Sequence, residues 1–157
     1  PTGTPTKPAA SSTTKAPSTS AAPSSGSTFI DYEVVSDDGV LIASPADTAK
    51  LDGAPKDFKN FMGALITRQA TAGNDGCSEP PQIYVTQLDT GGWARGGYFT
   101  PGCGGSGALW AKSGGTWTQA WSGQSLVDCA TLKRYAFPSR LAGNSCDSGS
   151  GTTTYRH

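Results

Sequence analysis

Cysteine, histidine and carboxylate side chains are the groups in this chain with the capacity for covalent, metal or acid–base chemistry. Four cysteines, Cys77, Cys103, Cys129 and Cys146, are widely spaced, and no Cys-x-x-Cys pair occurs. That spacing argues against a structural zinc site or a thioredoxin-like redox motif, and only His157 offers an imidazole. An even cysteine count with long spacings instead points to two disulfides and an oxidising compartment. Four cysteines allow three connectivities. Sequential pairing, Cys77 with Cys103 and Cys129 with Cys146, is expected because each pair brackets a local supersecondary unit. Such bridges contribute roughly 2–4 kcal/mol each.

A Ser–His or Cys–His nucleophile needs its base within hydrogen-bond reach. His157 closes a Ser/Thr/Gly-rich tail, residues 148–157, that reads as flexible, and the thiols are expected in bridges. Two-carboxylate hydrolysis has candidates by residue type in Glu33, Glu79, Asp89 and Asp128. Each also has a plain structural role. Asp128 reads as part of a helix cap, Asp89 belongs to a turn, Glu79 precedes Pro80-Pro81, and Glu33 reads as an ordinary strand residue. Asp37-Asp38-Gly39 is turn chemistry lacking the spaced oxygens of a calcium loop. Gly102 to Gly107 does not open a predicted helix, so it is no phosphate cradle. No catalytic residue, cofactor or metal site is expected.

Aromatic chemistry is more promising. Trp93, Trp110, Trp117 and Trp121 all fall in one glycine-rich stretch. Indoles anchor protein interfaces, stack on sugars or fill cores. Strand alternation puts Trp117 and Trp121 on one face, where core packing is expected. If Ala94 and Gly96 face a helix, Trp93 and Arg95 point away from it. With Trp110 they would form a partly exposed aromatic–basic binding patch.

The elements that position these residues are legible from patterning. Thr28 to Val35 reads as a strand and Val40 to Ile42 as a short second one. Ser44-Pro45-Ala46-Asp47 is a helix-start signature, and Asp52-Gly53 ends that short helix. Pro55 opens a longer helix with Phe58, Phe61, Met62, Leu65 and Ile66 on one stripe and Gly73 as its stop. Four strands follow, Ile83–Leu88, Trp93–Phe99, Ala108–Lys112 and Thr116–Trp121, joined by glycine turns. Gly96 and Gly97 suggest a bulge or a close approach by the helix. Ser125-Leu126-Val127-Asp128 resembles a capping box for a last helix to about Tyr135, stopped by Pro138. The predicted fold is α+β, an antiparallel meander of about four strands with helices packed on one face and two disulfides.

Composition sets the surroundings. Residues 1–27 are Ser/Thr/Pro/Ala-rich, with Lys7 and Lys15 their only charges, and read as a disordered tether ahead of one domain, residues 28–147. Net charge is zero without a basic run, which excludes a nucleic-acid surface. No apolar run approaches the roughly 20 residues of a membrane span. Pro1 opens directly into the polar tract, as expected of a form whose export signal has been removed.

Gly92-Trp93-Ala94, Cys103-Gly104-Gly105, Leu109-Trp110, Gly115-Thr116-Trp117, Gly123-Gln124, Cys129, Leu132, Pro138 and Cys146 together resemble a pattern of small exported proteins and lipoproteins of high-GC Gram-positive bacteria. The resemblance covers Asp57 to Cys146. It implies location and fold, not an activity. The leader is similar to the tethers that follow the acylated cysteine in such lipoproteins, although it carries no cysteine. The expected function is a non-catalytic, extracytoplasmic binding domain, secreted or held at the cell envelope. Its partner would be an envelope or extracellular protein or cell-wall glycan. The alternative is a carboxylate-dependent hydrolase acting on cell-wall or extracellular polymer.

Overall fold

A computed structural model describes residues 26–73 and 76–157. The expected tether therefore lies outside the described residues, apart from Gly26 and Ser27. Among the described residues, eight strands and three helices form an α+β fold: β1 Phe29–Asp31, β2 Val40–Ile42, α1 Lys56–Ala72, β3 Gln82–Asp89, β4 Trp93–Thr100, β5 Gly104–Ser113, β6 Thr116–Gly123, α2 Cys129–Arg134, α3 Ser139–Ala142, β7 Ser145–Asp147 and β8 Thr152–Thr154. A 3₁₀ turn, Pro45–Lys50, precedes α1. The sheet runs β1-β3-β4-β5-β6, with β2 also paired to β3, and all of its pairings are antiparallel.

The predicted strand from Thr28 ends early. β1 stops at Asp31 because its carboxylate accepts the Glu33 N–H at 3.0 Å, turning the chain. Tyr32 then drops into the core and donates its phenol to the Asp52 carbonyl at 2.9 Å. Glu33 consequently sits in a turn, not a strand. The helix-start signature holds as a 3₁₀ turn, in which the Asp47 carboxylate accepts the Ser44 N–H at 2.8 Å.

The α1 stripe works as the periodicity demands. Phe58, Met62, Leu65 and Ile66 are buried against Ile83, Val85, Ala94, Trp110 and Trp117. Gly73, at φ +88°, closes the helix. The other sheet face carries a second core, in which Trp93, Leu109 and Ala111 pack on Leu132, Phe137, Leu141, Cys146 and Tyr155. Helices thus flank both faces, α1 on one and the short C-terminal pair on the other.

Both bridges are sequential, Cys77–Cys103 and Cys129–Cys146. The second joins α2 to β7 inside the C-terminal core. Asp128 itself is the N-cap of α2, accepting the Thr131 N–H at 2.7 Å, so the helix begins three residues later than a cap at Ser125 would place it.

Residues 148–157, expected as a flexible tail, are instead folded. The Asp147 carboxylate accepts the Gly149 N–H at 2.7 Å in a tight turn, and β8 returns along β7. Tyr155 is then buried, and its hydroxyl lies 2.7 Å from the Phe137 carbonyl and 3.1 Å from that of Leu132. One aromatic anchor offsets the polarity of its neighbours.

Candidate functional site

The site arises from register. On the face opposite α1, Tyr84 pairs with Gly97, Gly97 with Gly107, and Gly107 with Gly123. Four strands therefore contribute one row across the sheet, and three of its four positions lack a side chain. Strand interiors ordinarily avoid glycine, and its presence there marks a close approach. None of these three glycines has positive φ, so backbone conformation does not require them. On one side of the row stand Arg95, Leu109 and Trp121, and on the other Phe99. The result is a low strip between walls of side chains.

The C-terminal segment covers the Trp93–Leu109–Ala111 half of this face and leaves the glycine row open. Two adjoining cavities, whose linings share Gly96, mark the open strip. The first lies between Arg95, Gly107, Trp121, Leu126 and Leu141, with a volume of about 270 Å³. The second, about 510 Å³, lies between Tyr84, Gly97, Phe99 and the carboxylates of Glu33, Asp37 and Asp38. Tyr84 and Phe99 meet edge to face at 69°. The large hydrophobics exposed among the described residues are Val34, Val35, Phe99 and Leu126. Phe99 and Leu126 line the strip, and both valines lie in the loop that supplies its carboxylates.

Charge is divided along the strip. The Arg95 guanidinium is drawn to the C-terminal wall, donating to the Leu141 carbonyl at 3.3 Å. The edge beyond β3 is acidic. Asp31 ends β1, Glu33, Asp37 and Asp38 follow in the loop to β2, and no Lys or Arg occurs between Lys15 and Lys50. Glu33 accepts the Gln87 amide at 3.3 Å. Among the described residues, ion pairs form at Asp47, Asp57 and Asp89, and none forms at this loop.

The expected patch of Trp93, Arg95 and Trp110 does not assemble. Ala94 faces α1, so Trp93 and Arg95 do point away from it, but Trp110 pairs with Ala94 and is fully buried under the helix. Trp93 is covered by the C-terminal segment and donates to the Tyr135 carbonyl at 2.7 Å. Arg95 alone reaches the open strip, where its aromatic neighbour is Trp121.

Trp121 changes side for a local reason. Leu109 pairs with Trp121 and Trp110 with Gln119, so Ala120 is an extra residue in β6. A one-residue bulge reverses side-chain alternation beyond it. Trp117 therefore packs beneath α1, 4.7 Å from Phe58 between ring centroids, while Trp121 turns to the other face. Its indole leans over the glycine row: a Cβ at Gly107 would lie 3.3 Å from the ring, and one at Gly123 3.0 Å. The close approach at Gly96 comes from β3, since a Cβ there would lie 1.8 Å from the Tyr84 carbonyl oxygen. Thr86, the bulged residue of β3, lies opposite this point.

The candidate carboxylates go to separate places. Asp89 is buried and paired with Arg140, whose guanidinium lies 4.8 Å over Phe29. Asp128 caps α2, and the Thr131 N–H, then the Thr131 hydroxyl, holds its carboxyl below the usual range. Glu79 is exposed in the loop before β3. Only Glu33 joins the strip. Its carboxylate neighbours there are Asp37 and Asp38, which the sequence assigns to a turn. Among the described residues, no cluster of three or more His, Cys, Asp or Glu side chains is arranged to hold a metal ion. His157 is pinned through its backbone, donating to Ser139 Oγ at 2.7 Å.

Tyr84, Gly97, Phe99, Gly107, Trp121, Gly123 and Leu126 were not marked as a site by sequence. Their signal is glycine inside strands, Gly96-Gly97 and Gly104 to Gly107, which becomes a row only once register is known. Comparison with protein-family models, with curated proteins and with solved structures finds no match.

Proposed function

We infer that this is a non-catalytic binding domain working outside the cytoplasm, and that its partner is a protein of the envelope or extracellular space. The observation that carries the reading is the gathering of Phe99, Leu126 and half-buried Trp121 around a glycine strip that the C-terminal segment leaves bare. Exposed apolar side chains grouped around a concave surface are characteristic of interaction sites. Two disulfides and the resemblance to exported proteins support the location. Among the described residues, no helix is long and apolar enough to cross a membrane.

Protein suits the site better than glycan. A sugar platform needs exposed, coplanar rings, whereas Trp93, Trp110 and Trp117 are buried and Tyr84 stands at 69° to Phe99. A hydrolase would need a desolvated acid beside its partner, and Glu33, Asp37 and Asp38 are all solvent-exposed.

Capture from envelope extract tests the reading, using the oxidised protein and a Phe99→Ser/Leu126→Ser variant. Both positions are exposed, so the variant is expected to unfold at the wild-type urea concentration. The wild type should retain one stoichiometric protein that the variant loses. Identical capture by both, or retention only on purified wall glycan, would overturn it.

A further inference from the structure

The strip has a length, a polarity and no free backbone, and together these define its ligand. We propose, building on the protein-binding reading above, that it takes a left-handed extended (polyproline II) peptide carrying an apolar and a basic side chain three residues apart. The apolar side chain rests at Gly107 against the edge of the Trp121 indole. The basic one stands over Tyr84 and reaches Glu33, Asp37 and Asp38.

The spacing follows from the sheet. Gly107 lies on β5 and Tyr84 on β3, two strands apart in one register row. At about 4.8 Å per strand the separation is roughly 9.6 Å. A polyproline II chain has three residues per turn and rises about 3.1 Å per residue, so residues i and i+3 share a face about 9.3 Å apart. A β-strand would present same-face side chains at about 6.6 or 13 Å and match the row poorly.

Backbone chemistry points the same way. β4 and β5, which form the floor, are interior strands whose hydrogen bonds are already made to β3, β5, β4 and β6. A ligand cannot be added there as another strand. A polyproline II backbone keeps its polar groups in water and recognises aromatic-lined grooves through side chains. Charge fixes the orientation. Glu33, Asp37 and Asp38 have no ion-pair partner among the described residues, whereas the Arg95 guanidinium is held by the Leu141 carbonyl, so the ligand's cation belongs at the loop.

Fluorescence polarisation with the full chain tests this. The probes are fluorescein-labelled Gly-X-Pro-Pro-Arg-Pro-Gly peptides, with X as Leu, Phe or Tyr. Controls are the same peptides with Arg replaced by Glu, and with one Pro removed between X and Arg. At least one probe should bind saturably, weaken tenfold or more with either control, and weaken similarly on a Glu33→Gln/Asp37→Asn/Asp38→Asn variant. All three substitutions are at exposed positions, so the fold should persist. Higher salt should also lower affinity. Absence of saturable binding by every probe, or binding indifferent to the Arg, the spacing or the three carboxylates, would overturn the proposal. If peptides fail while Phe99→Ser/Leu126→Ser still abolishes capture of a single protein, the ligand assignment falls and the broader reading stands.

Discussion

Removing the two disulfides one at a time should expose their unequal roles. The Cys129–Cys146 bridge closes a separation of 17 residues and Cys77–Cys103 one of 26. Loop-closure entropy alone then assigns about 3.2 kcal/mol to the first and about 3.5 to the second, slightly favouring the longer loop. Packing reverses that order. Cys129 and Cys146 are 8% and 1% exposed within the C-terminal core, whereas Cys77 is half-buried and Cys103 exposed. Replacing the buried pair with alanine leaves a void worth roughly another 1–2 kcal/mol. The Cys129→Ala/Cys146→Ala variant should therefore lose about 4–5 kcal/mol, and Cys77→Ala/Cys103→Ala about 3.5 or less. For a domain stable by about 5–15 kcal/mol, the former loss is from about a third to nearly all of the total. Urea unfolding followed by circular dichroism measures both. Tryptophan emission adds a second readout, since freeing α2 from β7 loosens the cover over Trp93 and should shift emission to the red in the first variant alone. Equal losses, or a larger loss from Cys77→Ala/Cys103→Ala, would refute the claim that burial decides the difference.

Tyr155→Phe should cost about 1–3 kcal/mol in urea unfolding, because the Leu132 and Phe137 carbonyls lose their shared buried donor; a change within error would show that the tail is not anchored by this hydroxyl. Burial raises the Tyr32 phenol, with Asp52 adding to the shift, from its ordinary 10.0 to about 12. Its protonated form is favoured in the fold, so that contribution is intact below pH 10 and lost between pH 10 and 12, a slope that Tyr32→Phe should flatten. Asp47 moves the other way: Lys50, then Ser44, lowers its carboxyl from 3.8 to about 2. Its contribution is present above pH 3.8 and lost as pH falls toward 2, so Asp47→Asn should shallow the acid limb of a thermal-melting series. Gly97→Ala places a Cβ 2.6 Å from the Ser106 carbonyl oxygen and Gly107→Ala one 3.3 Å from the Trp121 ring, so unfolding midpoints should fall much further for the first.

Elements with a strong local period were legible in the sequence. The α1 stripe reads from five apolar residues at helical spacing, and its burial matches that reading. The four-strand meander reads from β-formers between glycine turns, with β5 extended backward through Gly104 to Gly107. Site geometry was not legible, because it depends on which residues lie opposite one another. Trp110 looked free for binding until its pairing with Ala94 put it beneath the helix. A single extra residue, Ala120, puts Trp121 on the face it shares with Arg95. Alternation within a strand cannot report a bulge, since the decisive fact is how many partner residues it skips. The tail misled through composition: β8 is three threonines, and a single tyrosine two positions from its centre secures them.

Ser27 lies against the β3–β4 turn, where a Cβ on Gly91 would come within 3.1 Å of the Ser27 Cβ. It also shares a cavity wall with Asp89 and His157. That junction is at the opposite end of β3 from Tyr84, about 17 Å away along five residues of strand. Attachment to a bead, a chip or a fluorescent fusion through the preceding chain would therefore leave the aromatic end facing free solution.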